Sequence, residues 1–119
     1  MATAVKRKLS GSTNGKPIKV VETATAGTLI HTAVEGTTAG TFDEIYLYAQ
    51  NNHTGSVTVT IEFGGATAPD QNIIFTLAVK AGLQLIIPRL ILQNEATIKV
   101  FASTGNVVCI SGFINSITD

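Results

Sequence analysis

Between Ser56 and Phe63, Val57, Val59, Ile61 and Phe63 alternate with Ser56, Thr58, Thr60 and Glu62. A period of two puts the apolar side chains on one face of a strand and the polar ones on the other. The alternation returns at Ile73, Phe75, Leu77 and Val79, and again at Ile98, Val100 and Ala102. Thr, Val and Ile dominate the body of the chain, and their branched β-carbons suit a pleated surface better than a helix. No stretch offers a convincing helical period. Besides 56–63, strands are expected over residues 16–23, 28–34, 42–50, 72–79, 83–92, 97–102 and 107–114, separated by Gly, Asn and Asp turns. Pro88 has no amide hydrogen, so the segment that holds it must lie at an edge, bulge or break. About eight short strands of this kind predict an all-β fold, a single antiparallel β-sandwich or jelly roll.

The chain of 119 residues is long enough for one domain with a sizeable core. Residues 1–15, rich in Ser, Thr and Gly, read as an extended basic N-terminal arm that is ordered only if something holds it. Residues 16–119 read as the sandwich. Only 13% of the residues are charged, about half the usual share. With 45% hydrophobic residues the chain is not disordered, and its zero net charge argues against a globally basic nucleic-acid binder. Cys109 is the only cysteine, which excludes a disulfide scaffold; within Val107-Val108-Cys109-Ile110 it reads as a small buried hydrophobe. No apolar run approaches the roughly 18 residues of a spanning helix, so no membrane partner is expected. Lys6-Arg7-Lys8 is followed by no apolar core of a secretory signal, and synthesis in the cytoplasm is the expectation.

The charges are unevenly placed. Lys6, Arg7, Lys8, Lys16 and Lys19 all precede the first acid, whereas every charge between Val20 and Val79 is acidic: Glu22, Glu35, Asp43, Glu44, Glu62 and Asp70. A basic arm is thus set against an acidic middle. No aromatic residue is interleaved in the arm, and the acids would repel a nearby phosphate backbone. The arm therefore suits a protein contact better than nucleic acid, with Lys6, Arg7, Lys8 and Lys16 as the contact candidates.

Catalytic and metal motifs are missing from the sequence. Gly11-Ser12-Thr13-Asn14-Gly15-Lys16-Pro17 is one residue short of a phosphate-binding loop, and Pro17 stands where a hydroxyl is needed. His31 and His53 have neither a Cys pair nor a carboxylate at ligand spacing. Asp43 and Glu44, adjacent on a strand, must point to opposite faces. No serine carries a nucleophile signature. The expectation is a non-enzymatic protein with no catalytic residue, cofactor or metal. Tyr46 and Tyr48 share a face at i and i+2; such a pair suits a protein contact or a second core face, and otherwise a small carbohydrate-binding module.

Several segments together carry a family likeness: Lys16-Pro17-Ile18-Lys19-Val20-Val21, Ala26 to Ala33, Asp43 to Asn51, Gly82-Leu83-Gln84-Leu85-Ile86-Ile87-Pro88, and Phe101-Ala102 through Val108 to Asn115. They resemble small all-β virion proteins of tailed bacteriophages, especially the decoration (cement) proteins of the head. The resemblance implies a jelly-roll or sandwich domain assembled as a homo-oligomer, often a trimer. It would bind the major capsid protein on the outer surface of the virion head and stabilise the shell against packaged DNA. A tail- or fibre-associated virion domain is the alternative within the same class. Low charge fits such a role, because much of an assembled subunit's surface never meets water.

Overall fold

A computed structural model describes residues 2–119, and Met1 of the expected arm lies outside the described residues. The chain is an all-β sandwich. Its strands are β1 (Thr3–Lys8), β2 (Ile18–Lys19), β3 (Thr28–Thr32), β4 (Phe42–Asn51), β5 (Val57–Phe63), β6 (Asn72–Leu77), β7 (Gln84–Leu92), β8 (Thr97–Ala102) and β9 (Val108–Thr118). One sheet has the order β1-β9-β4-β7, with β2 also on β9, and the other has the order β3-β8-β5-β6. All pairings are antiparallel.

The alternation predicted from sequence sets which side chains meet between the sheets. Ile45, Leu47 and Ala49 of β4, with Val108, Ile110 and Ile114 of β9, face Val57, Val59 and Ile61 of β5 and Ile98, Val100 and Ala102 of β8. These residues are at most 2% exposed. Each Val, Leu or Ile so buried contributes about 1.5–3 kcal/mol relative to remaining in water. Inward and outward positions alternate without a break along β4, which is why Asp43 is buried and Glu44 is not.

Where strands differ from their predicted ranges, the partner strand gives the reason. The expected strand over 16–23 pairs in register only at Ile18 and Lys19, opposite Ile110 and Cys109. Beyond it, Val20 continues with single backbone bonds to Val108 and Asn106. β9 runs on to Thr118, past the expected end, because β4 on one side and β1 on the other give it partners that far. Val79, expected on the inward face, lies past the end of β6 and is exposed. Pro88 sits in β7, an edge strand, opposite Tyr46; the next residue, Arg89, has φ of 70° and marks a register shift. Edge and bulge together remove the need for the missing amide.

The segment expected to be a separate arm is part of the sandwich. Thr3 to Lys8 pairs with Thr118 to Phe113 of the same chain, so the holder that the arm requires is β9 itself. Leu9, directly after it, is 1% exposed and anchors the segment in the core.

At the centre of the larger sheet β4 and β9 approach closely at Gly112, which lies opposite Leu47. A β-carbon there would run into the Tyr46 carbonyl oxygen, backbone that cannot yield. Gly112→Ala is therefore expected to destabilise the protein by about 1–3 kcal/mol, the usual cost of overpacking, as read from urea unfolding.

Candidate functional site

The outward face of the larger sheet gathers the aromatic residues that sequence reasoning singled out, and one it missed. Tyr46 and Tyr48 on β4 point away from the core because Ile45, Leu47 and Ala49 point into it. Phe113 on β9 lies directly opposite Tyr46. The two rings stack with centroids 4.5 Å apart and planes 15° from parallel. The Lys6 ammonium, brought alongside by β1, sits 4.3 Å from the centre of the Phe113 ring, within the range of a cation–π contact. Phe113 left no signal in the sequence beyond lying in a strand with two apolar faces; its role depends on the β4–β9 register.

Polar groups extend the cluster. Glu44 Oε1 accepts from the Tyr46 hydroxyl at 3.3 Å and from Asn115 Nδ2 at 3.2 Å, and Arg89 approaches Oε2 at 3.7 Å. The phenol of Tyr46 is held above its usual range, first by desolvation against its neighbours and then by the Glu44 carboxylate, with Arg89 opposing. Tyr48 lies one step along the same face, opposite Ser111 and Leu85. Leu85 and Ile91 of β7, exposed by 49% and 54%, carry the surface to the sheet edge.

The basic candidates do not act as one patch. Lys6 lies on the aromatic face. Arg7, opposite buried Ile114, turns to the other side of the sheet and lines a cavity of about 410 Å³ beneath β1. Lys8 donates to the Ser12 carbonyl at 2.9 Å, also at that cavity. Lys16 is exposed in the following turn, its carbonyl accepting from the Ser12 hydroxyl at 2.7 Å.

Two acids of the sequence's acidic middle are internal. Glu62 is 2% exposed and accepts from the Thr25 hydroxyl at 2.8 Å and the Gly27 N–H at 2.7 Å, which ties down the segment over β5. Asp43, also 2% exposed, meets His31 Nε2 at 2.7 Å. Sequence spacing gave His31 no carboxylate partner; the fold supplies one from β4. Ser10 N–H donates to His31 Nδ1 at 2.9 Å, so that nitrogen is the acceptor and Nε2 carries the proton given to Asp43. The Ser10 hydroxyl accepts from Thr32 N–H at 2.8 Å and is not presented to the imidazole as a nucleophile. No group of three or more His, Cys, Asp or Glu able to hold a metal occurs among the described residues. Cys109, expected to be buried, is half-buried on the outward side, because Val108 and Ile110 take the core positions beside it.

No protein-family model, curated protein or solved structure matches the chain.

Two outcomes test these assignments. Glu44→Gln should bring the Tyr46 phenol down toward its ordinary range, seen as earlier tyrosinate absorbance on raising pH. Asp43→Ala leaves the His31 Nε2–H and the Val34 N–H without their acceptor, and a loss of about 1–3 kcal/mol in unfolding free energy is expected.

Proposed function

We propose that this chain is a non-enzymatic virion structural protein, a decoration protein that binds the outer surface of a bacteriophage head and stabilises the shell. The observation that carries the reading is the outward face of the β1-β9-β4-β7 sheet. Its centre is a Tyr46–Phe113 stack, and its cation Lys6 already lies over an aromatic ring. Glu44 is occupied by Tyr46, Asn115 and Arg89. A surface whose charges are matched within the chain can be covered by another protein with little unpaired charge buried. The exposed Leu85 and Ile91 enlarge the apolar area available for burial. On a symmetric lattice many modest contacts of this kind reinforce one another.

The strand order agrees with such a subunit. Apart from β1, the strands form the sheets β2-β9-β4-β7 and β3-β8-β5-β6, an order that supports a jelly-roll reading with β1 added at the β9 edge. Self-assembly, as a trimer by the resemblance, and contact with the major capsid protein belong to the same proposal. A carbohydrate platform on Tyr46 and Tyr48 is the weaker reading, because a face of Tyr46 is already occupied by Phe113. A non-enzymatic role is supported by the His31 site, where each ring nitrogen is committed to a structural hydrogen bond.

Expanded, undecorated phage heads provide the test. The purified protein should co-sediment with them, and Tyr46→Ala combined with Phe113→Ser should weaken binding by about tenfold or more, equivalent to at least 1.4 kcal/mol. Circular dichroism should show the variant still folded. Retention on tails but not on heads would favour the tail alternative, and undiminished head binding by the folded variant would remove this face from the proposal.

A further inference from the structure

Each sheet of the sandwich ends in edge strands, whose outer backbone groups have no neighbouring strand to bond. Proteins guard such edges with charge, proline, bulges or brevity. β1 carries Lys6, Arg7 and Lys8, and β2 beside it has two residues. β7 holds Pro88 and shifts register, and β3 shifts register between Leu29 and His31. β6 has none of these devices. It is uncharged from Asn72 to Leu77, runs in unbroken register along β5, and holds Ile74 62% exposed.

The neighbouring bonds fix which backbone groups of β6 are open. Phe63 N–H donates to the Gln71 carbonyl over 2.8 Å, and Ser103 N–H donates to the Thr58 carbonyl over 2.9 Å. Bonding direction alternates along an antiparallel ladder. Ile73, Phe75 and Leu77 therefore bond toward β5, while Asn72, Ile74 and Thr76 turn their N–H and C=O groups to the free edge. The strand is also flanked by opposite charges. Asp70 lies just before it and Lys80 just after, both exposed in turns, and neither takes part in an ion pair among the described residues. Lys80 Nζ donates to the Asn52 carbonyl, a neutral group.

We propose that β6 is a self-association edge: it pairs antiparallel with β6 of a second copy about a two-fold axis, with Ile74 opposite Thr76, Phe75 opposite its own counterpart, and Asp70 opposite Lys80.

Charge and backbone phase select this register together. With Thr76 opposite Ile74, both residues present outward N–H and C=O groups to each other, and symmetry repeats the exchange. The same alignment sets Asp70 against Lys80 at both ends, a favourable cross-strand pair. With Ile74 opposite itself, Asp70 would face uncharged Ala78 instead. The selected register also brings the two Phe75 rings together over the groove of about 270 Å³ between β6 and β7, which Phe75, Leu77, Leu85 and Ile86 help to line. Val79, Leu83 and Leu85, 49–56% exposed, border this side of the sandwich and add apolar surface to be buried. The contact is two-fold, separate from the trimer that the family likeness implies, and it does not depend on binding to a phage head.

Sedimentation velocity on the full chain, from low-micromolar to near-millimolar concentration, should show a reversible monomer–dimer equilibrium. Thr76→Pro removes one outward N–H and spares the β5 ladder, so the variant should stay folded by circular dichroism and dimerise about tenfold or more weakly. Asp70→Lys and Lys80→Asp should each weaken the dimer, and the double variant, in which attraction is restored with the signs exchanged, should recover most of the loss. These charge reversals lie in exposed turns and decide the matter if Thr76→Pro does not fold. A wild type that stays monomeric, a trimer indifferent to these changes, or a double variant that recovers nothing overturns the proposal.

Discussion

β4 and β9 run antiparallel from Phe42 opposite Ile117 to Asn51 opposite Val108, and the larger sheet is built on this ladder. β7 attaches to the far side of β4, while β1 and β2 share the far side of β9. The ladder closes tightly at Gly112, where a side chain would strike the neighbouring backbone. Its register decides which residues look into the core and which look out. A slip by one residue would turn Ile45, Leu47 and Ala49 to the surface and bury Glu44, Tyr46 and Tyr48.

That register has different consequences on the two faces. Inward, it places Asp43 at one end of a row whose middle, Ile45, Leu47 and Ala49, is aliphatic; there the carboxylate is buried and must find donors, which His31 and the Val34 N–H supply. Outward, it sets Phe113 beside Tyr46 and lets Glu44 collect Asn115 and Arg89. The polar network on one side and the aromatic stack on the other are thus products of a single pairing. β1 touches both, since Lys6 reaches the stack while Arg7 hangs over the His31 cavity.

The low charge of the chain acquires a more specific meaning in this arrangement. Asp43 and Glu62 are buried and hydrogen-bonded, and Glu44 is engaged on the sheet face, so the acidic middle of the sequence is no continuous acidic surface. The basic run is likewise divided, since Lys6 lies over the Phe113 ring while Arg7 and Lys8 line the cavity beside His31. What remains outward on the larger sheet is aromatic and aliphatic surface, with Glu44 held by Tyr46, Asn115 and Arg89 and with Lys6 lying over the Phe113 ring.

Much of the fold was legible in the sequence, because alternation is local. Val57 to Phe63 and Ile98 to Ala102 declare their buried faces without reference to any partner, and Pro88 declares an edge or bulge. The opposite orientations of Asp43 and Glu44, and the shared face of Tyr46 and Tyr48, follow from the same period of two. Partnership over long separations was decided only by tertiary structure. Nothing near Phe113 announces Tyr46, nothing near His31 announces Asp43, and nothing in Thr3 to Lys8 says that its holder is the last strand of its own chain. Each pairing depends on which backbones hydrogen-bond and in what register, a choice settled by burying all the apolar faces at once. The sequence by itself determined an all-β sandwich of low charge; the tertiary structure determined where its aromatic face lies and what fastens its first strand.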